Sequence, residues 1–215
     1  MAGALALVSA ALALTSLPAL PARGLARETR AGVELETMAG SPLTTLPGLD
    51  LAPDQEVAHR LVMRDRHGRL FVLERGTRRL RPVRPRRGCR ATDVGLTVCP
   101  RTISGPNGAL ARGPGKIGHW VWAERSPDGE AVLAQWSAEC EVPVAYRIVR
   151  RKLHPYALES VALGWLPNGA ALIHFPNGPC GGSIHVRGIY AVPRTGKPRL
   201  VLRTPRFADY QMWGG

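Results

Sequence analysis

The chain is short of acids and nearly free of lysine. Its 215 residues carry 16 Asp and Glu against 29 Lys and Arg, and only three of those bases are lysines. A net charge of +13 favours polyanions as partners. The chain has no Gly-x-Ser-x-Gly, no His-Glu-x-x-His and no glycine-rich phosphate loop. The local signatures of a nucleophile elbow, a zinc protease and a nucleotide site are therefore missing. No Cys-x-x-Cys is present, and the histidines at 59, 67, 119, 154, 174 and 185 are scattered. Neither a zinc site nor any other metal or cofactor is expected on that pattern. Gly181-Gly182-Ser183-Ile184-His185 sets Ser and His two apart, on one face of a strand. No acid follows to orient the base, so the segment reads as a glycine-rich loop.

What is present is a repeat. Ser126-Pro127-Asp128-Gly129 is followed by the apolar run 131–134 and then Cys140. Leu166-Pro167-Asn168-Gly169 is followed by 171–174 and then Cys180. The two glycines are 40 residues apart, each cysteine comes 11 residues later, and Trp122 and Trp165 precede the turns. A Tyr-containing strand follows each cysteine, at 145–149 and 188–192. A period of about 40–45 residues with Trp, turn and strand marks propeller blades. The C-terminal run ending Met212-Trp213-Gly214-Gly215 repeats the first strand with nothing after it.

These residues resemble the TolB-type β-propeller repeat, in which Trp-Ser-Pro-Asp-Gly precedes a strand. Trp165-Leu166-Pro167-Asn168-Gly169 fits the spacing, while Trp122 sits three residues early for Ser126-Pro127-Asp128-Gly129. The resemblance covers residues 117–215 well, 55–83 loosely and 84–116 hardly at all. It implies an all-β fold of three or four blades over residues 55–215, as an incomplete or closed ring, with a β-sandwich as the alternative. Blades are expected at 117–159 and 160–205. Residues 55–83 add a hairpin around Gly68, and 84–116 hold a degenerate blade. Members of the family include secreted binding proteins and propellers that accompany hydrolases, so the resemblance implies a scaffold and not one activity.

Residues 2–22 are uncharged and apolar, and residues 1–26 read as a secretory signal. Gly24-Leu25-Ala26 and Leu20-Pro21-Ala22 are its cleavage candidates. No base precedes the apolar run. The alternative is an uncleaved membrane anchor, since about 20 apolar residues span a bilayer. Pro18 and Pro21 suit a cleavage region better than a helix interior. Residues 27–54 read as a linker or N-terminal arm. Four cysteines in an exported chain suggest two disulfides. Of three pairings, Cys89–Cys99 with Cys140–Cys180 is preferred: the first pair flanks a hairpin, and the second occupies equivalent repeat positions.

Eight arginines and no acid lie between Arg75 and Arg90. Pro82 and Pro85 keep this strip extended, and Arg84, Arg86 and Arg87 are its candidate anion-binding residues. The plainer reading is a solvated edge protected by charge. For an exported chain the counter-charge is an anionic envelope polymer or phospholipid rather than nucleic acid. Trp122, Trp165 and Trp213 read as blade core. Trp136, beside the loop of Cys140, is the candidate exposed aromatic for a ligand. The leading function is an exported, non-catalytic binding or protein-interaction module. The alternative is a hydrolase or lyase with a site on the propeller axis.

Overall fold

The computed structural model describes residues 20–52, 61–73, 79–84, 88–92, 94–138, 141–156, 159–176, 187–205 and 208–214. Strands β1 (Arg23–Thr29), β2 (Gly32–Glu36) and β3 (Pro42–Pro47) begin blade I. Blade II holds β4 (Leu49–Leu51), β5 (Val62–Asp65), β6 (Leu70–Leu73) and β7 (Leu80–Val83). Blade III holds β8 (Arg90–Ala91), β9 (Thr97–Val98), β10 (Thr102–Gly105) and β11 (Gly108–Arg112). Blade IV holds β12 (His119–Arg125), β13 (Ala131–Ala138), β14 (Glu141–Val149) and β15 (Lys152–Pro155). Blade V holds β16 (Val161–Trp165), β17 (Ala171–Phe175), β18 (Gly188–Val192) and β19 (Arg199–Leu202). The last strand, β20 (Tyr210–Gly214), pairs antiparallel with β1 and supplies the innermost strand of blade I. Five four-stranded sheets thus form a five-bladed β-propeller, closed where the C-terminal strand joins the N-terminal blade.

Most of the core lies between blades; one further cluster, Ala52, Val62, Leu70 and Val72, belongs to blade II alone. Ala26, Val33, Leu35, Leu49, Met63 and Trp213 fill the layer between blades I and II. Trp120, Val132, Ala134 and Trp136 pack with Leu96, Val98 and Ile103 between III and IV. Trp122, Leu133, Trp165 and Ile173 pack between IV and V. Leu25, Leu172, Tyr210 and Met212 pack between V and I. Strand β13 is covered on both faces, Val132 and Ala134 toward blade III and Ala131 and Leu133 toward blade V, which is why Ala131-Val132-Leu133-Ala134 is a continuous apolar run without alternation. The outermost strands carry Pro42, Pro47, Pro82 and Pro155, where a missing amide costs no ladder bond.

Neighbouring blades share no backbone ladder; the Trp120 amide donates to the Pro100 carbonyl at 3.0 Å across blades III and IV, and side chains make further cross-blade bonds. The Gln211 Oε1 accepts from the Val62 amide at 2.8 Å, and the Gln135 Oε1 accepts from the Ala162 amide at 2.7 Å. The Ser160 Oγ accepts from the Ala145 amide at 2.9 Å. All three side chains are buried, and each satisfies a backbone donor that would otherwise be stranded in the core.

The repeat turns have one geometry. Gly129 and Gly169 sit at φ +75° and +76° and donate to the carbonyls of Ser126 and Leu166. Their left-handed backbone suits glycine, which has no Cβ to clash. A third copy is Thr92–Gly95, where Gly95 at φ +69° donates to Thr92. The Leu96 amide there donates to the Thr92 Oγ1, as Ala131 does to the Ser126 Oγ.

Blades IV and V match the expected spans, and residues 84–116 do contain a blade. Two expectations are corrected. The blade count is five, not three or four, and the sandwich alternative falls with it. Residues 27–54 are not a linker: they contribute the end of β1, then β2 and β3, and the innermost strand of blade II. A signal boundary after residue 26 would remove Leu25 and Ala26, both 0% exposed, from the core. Gly68 closes the later β5–β6 hairpin, not the repeat turn.

Candidate functional site

In every blade the innermost strand begins at the same rim, here called the upper rim, because antiparallel order returns each fourth strand to it. The links between blades open there, as do the hairpins between second and third strands. Four of these connections are contiguous around blades II to IV: residues 66–69, 84–89, 99–101 and 113–118. They carry exposed Arg66, Arg69, Arg84, Arg101 and Lys116. Among the described residues of this arc the acid is Asp65, which is buried and bound to the Arg69 guanidinium at 2.7 Å, so those two charges offset each other. The surface is left basic. Arg86 and Arg87 lie outside the described residues, between Arg84 and the disulfide.

That disulfide joins Cys89 to Cys99, with Cα atoms 4.0 Å apart. It ties the link after the arginine strip to the turn that precedes Arg101. Cys140 and Cys180 lie outside the described residues. In chain order they fall between β13 and β14 and between β17 and β18, the upper-rim connections of blades IV and V.

Trp136 is not an exposed aromatic. It is 3% exposed and packs edge-on to Trp120, with ring centroids 5.0 Å apart. It shares the inward face of β13 with Val132 and Ala134. Period two puts it on that face, and blade III covering the face buries it. Its ring supports loop 113–118: a Cβ on Gly113 would stand 2.4 Å from it. The Arg101 guanidinium lies 5.2 Å from the Trp136 ring centroid. From there it donates to the carbonyls of Lys116 and Gly118 at 3.2 and 3.3 Å, and to that of Gly115. No sequence signal marks this clasp, because its members are 14–17 residues apart and meet only through the fold.

Elsewhere the blades and their links hold buried polar groups. Arg90 is 6% exposed and donates to the Trp120 carbonyl at 3.3 Å. Glu159 is 1% exposed, has φ +60°, and neither carboxylate oxygen has a hydrogen-bond partner. It stands on the link between blades IV and V. On the same link Tyr156 has a buried hydroxyl, and burial pushes its pKa up. His174 is packed, as its apolar strand suggests: it lies edge-on to Tyr210 and contacts the Thr204 Oγ1 at 3.3 Å. Burial pushes its pKa down to about 3. His119 is half-buried with an unpartnered Nε2. Among the described residues no histidine pairs with a carboxylate, and no group of three or more His, Cys, Asp and Glu could hold a metal. Ser183 and His185 lie outside the described residues.

No family model matches the chain, and no curated protein matches it. Among solved structures, one assigned as a 6-phosphogluconolactonase from Bacteroides uniformis is similar at 14% identity and a TM-score of 0.27. The match covers 89% of this chain and 83% of that one. A likeness at that score carries no argument about what this chain does.

Proposed function

We propose that this chain is an exported, non-catalytic binding module that docks onto an anionic envelope surface through the upper rim of blades II to IV. The observation that carries the reading is the arc of Arg66, Arg84, Arg101 and Lys116, in which the described acid, Asp65, is buried and paired with Arg69. A single base attracts a polyanion weakly, whereas several fixed on one rim act together. The Cys89–Cys99 bridge holds the end of the arginine strip beside Arg101 and fits an oxidising, extracytoplasmic setting.

The test is binding of polyglycerol phosphate across a salt series, with the full chain and an Arg84→Gln, Arg86→Gln, Arg87→Gln variant. Affinity is expected to fall steeply with salt, since charge screening acts over about 10 Å at 0.1 M. The triple variant is expected to bind at least about tenfold more weakly with an unchanged melting temperature. Wild-type affinity in that variant would leave the arginines as a solvated edge.

A hydrolase or lyase site on the axis is the second reading, and Glu159 favours it. A fully buried carboxylate without a partner in a left-handed backbone is costly, and such strain gathers at functional sites. Turnover of ester or glycoside substrates that Glu159→Gln abolishes would promote this reading over the first.

A further inference from the structure

The described residues expose two large apolar side chains, Val94 at 36% and Ile117 at 62%. Val94 is on the lower rim, in the β8–β9 turn. Ile117 is on the upper rim, in loop 113–118, within the basic arc. The loop reads Gly113-Pro114-Gly115-Lys116-Ile117-Gly118. Three glycines leave Ile117 almost no neighbouring side chain to fold against. The Arg101 guanidinium occupies the ground between the loop and Trp136, and three loop carbonyls accept from it. The Gly113 amide also donates to the Arg101 carbonyl at 2.8 Å. The isoleucine is thus held outward by a loop whose conformation is already fixed, which lowers the ordering cost of using it.

The charge around it is of one sign. Residues 94–123 contain Arg101, Arg112 and Lys116 and no acid. We propose that loop 113–118 is a membrane anchor: Ile117 enters the boundary between headgroups and acyl chains of a bilayer containing anionic lipid, while Lys116, Arg101 and the neighbouring arginines contact the phosphates. This rests on the docking role given above and names the surface as a phospholipid bilayer. A soluble polymer offers charge but no apolar phase for an isoleucine. A protein partner needs a packed interface of roughly 800 Å² per side, and one apolar side chain among glycines offers no such core. Apolar insertion combined with basic attraction is how a peripheral protein binds an anionic membrane.

The experiment uses the full chain and three vesicle or polymer probes: vesicles of phosphatidylglycerol mixed with phosphatidylcholine, vesicles of phosphatidylcholine alone, and soluble polyglycerol phosphate. Ile117→Ser is expected to lower partitioning onto the phosphatidylglycerol vesicles about tenfold, in line with losing one buried aliphatic side chain. Its binding to polyglycerol phosphate should be unchanged. Ile117→Trp should retain partitioning, and lipids brominated in the acyl chain should quench its added fluorescence beyond the level seen for the wild-type tryptophans. That readout reports insertion at position 117 even if another segment also binds lipid. Vesicle binding unaffected by Ile117→Ser, or added fluorescence in Ile117→Trp that bromolipid does not quench, overturns the anchor while leaving the arginine arc standing. Stronger partitioning onto phosphatidylcholine alone also overturns it. Polyglycerol phosphate binding that ignores the arginine substitutions defeats the docking role itself.

Discussion

His174 shows how a single buried side chain sets a property of the whole fold. It is 1% exposed, and its contacts are the Tyr210 ring and the Thr204 hydroxyl, neither of which stabilises a charge. Its folded pKa falls from 6.5 to about 3. The unfolded chain takes up a proton below pH 6.5 that the folded chain refuses until about pH 3. Stability is therefore full above pH 6.5, is lost as the pH falls toward 3, and levels off below that. From pH 7 to 5 the linkage predicts a loss of about 2 kcal/mol from this residue. Urea unfolding at the two pH values measures it. His174→Phe keeps the ring and should flatten that part of the pH dependence. An equally steep dependence in the variant would show that other groups carry it.

At the scale of elements, the β8–β9 hairpin has strands of two residues each, too short to hold themselves by ladder bonds alone. The Cys89–Cys99 bridge spans a sequence separation of 10, which in the chain-entropy view contributes about 3 kcal/mol. Replacing both cysteines by serine should lower the unfolding free energy by about that amount and loosen the arginine strip that the bridge anchors. Intact stability in the double variant would contradict this. Non-reducing peptide mapping should recover Cys89 linked to Cys99. The pairing Cys140–Cys180, proposed from their matching places in blades IV and V, should appear in the same map; Cys89 linked to either of them refutes it.

At the scale of the molecule, the ring depends on β20. This strand brings Tyr210 and Met212 to the layer between blades V and I, and Trp213 to the layer between I and II. Leu25 and Ala26 on β1 pair with Met212 and Gln211. Deleting residues 210–215 should abolish the cooperative thermal transition, because two of the inter-blade layers lose members at once. A milder probe is Gln211→Ala, which strands the Val62 amide in the core and should cost about 1–3 kcal/mol. A cooperative melt at the wild-type temperature after the deletion would mean that the blades stand without closure. The docking face shares this dependence, since its residues come from blades II and III and the links that follow them, held in place by the ring.

Turns and hairpins were legible in the sequence because their causes are local. A glycine at φ +75°, an Asp or Asn two residues before the next amide, and a tryptophan ahead of the turn identify blades IV and V with no knowledge of the rest. The run 209–213 read as a blade's first strand, and β20 is one, paired with β1. Blade I was illegible for a physical reason: its first strand comes from the other end of the chain, so the repeat turn that would announce it does not exist. Its strands therefore read as a linker. Blade III kept a repeat turn at Thr92–Gly95, but 34 residues before Gly129 rather than 40, so the period missed it. The candidate site divides likewise. The arginine strip was visible as composition, whereas the burial of Trp136, the clasp of Arg101 on loop 113–118 and the outward Ile117 were decided only by the packing of blade III against blade IV. Residue chemistry and spacing settle a turn, but which face of a strand is buried depends on the neighbour that covers it, and in a ring of blades that neighbour is set by the whole chain.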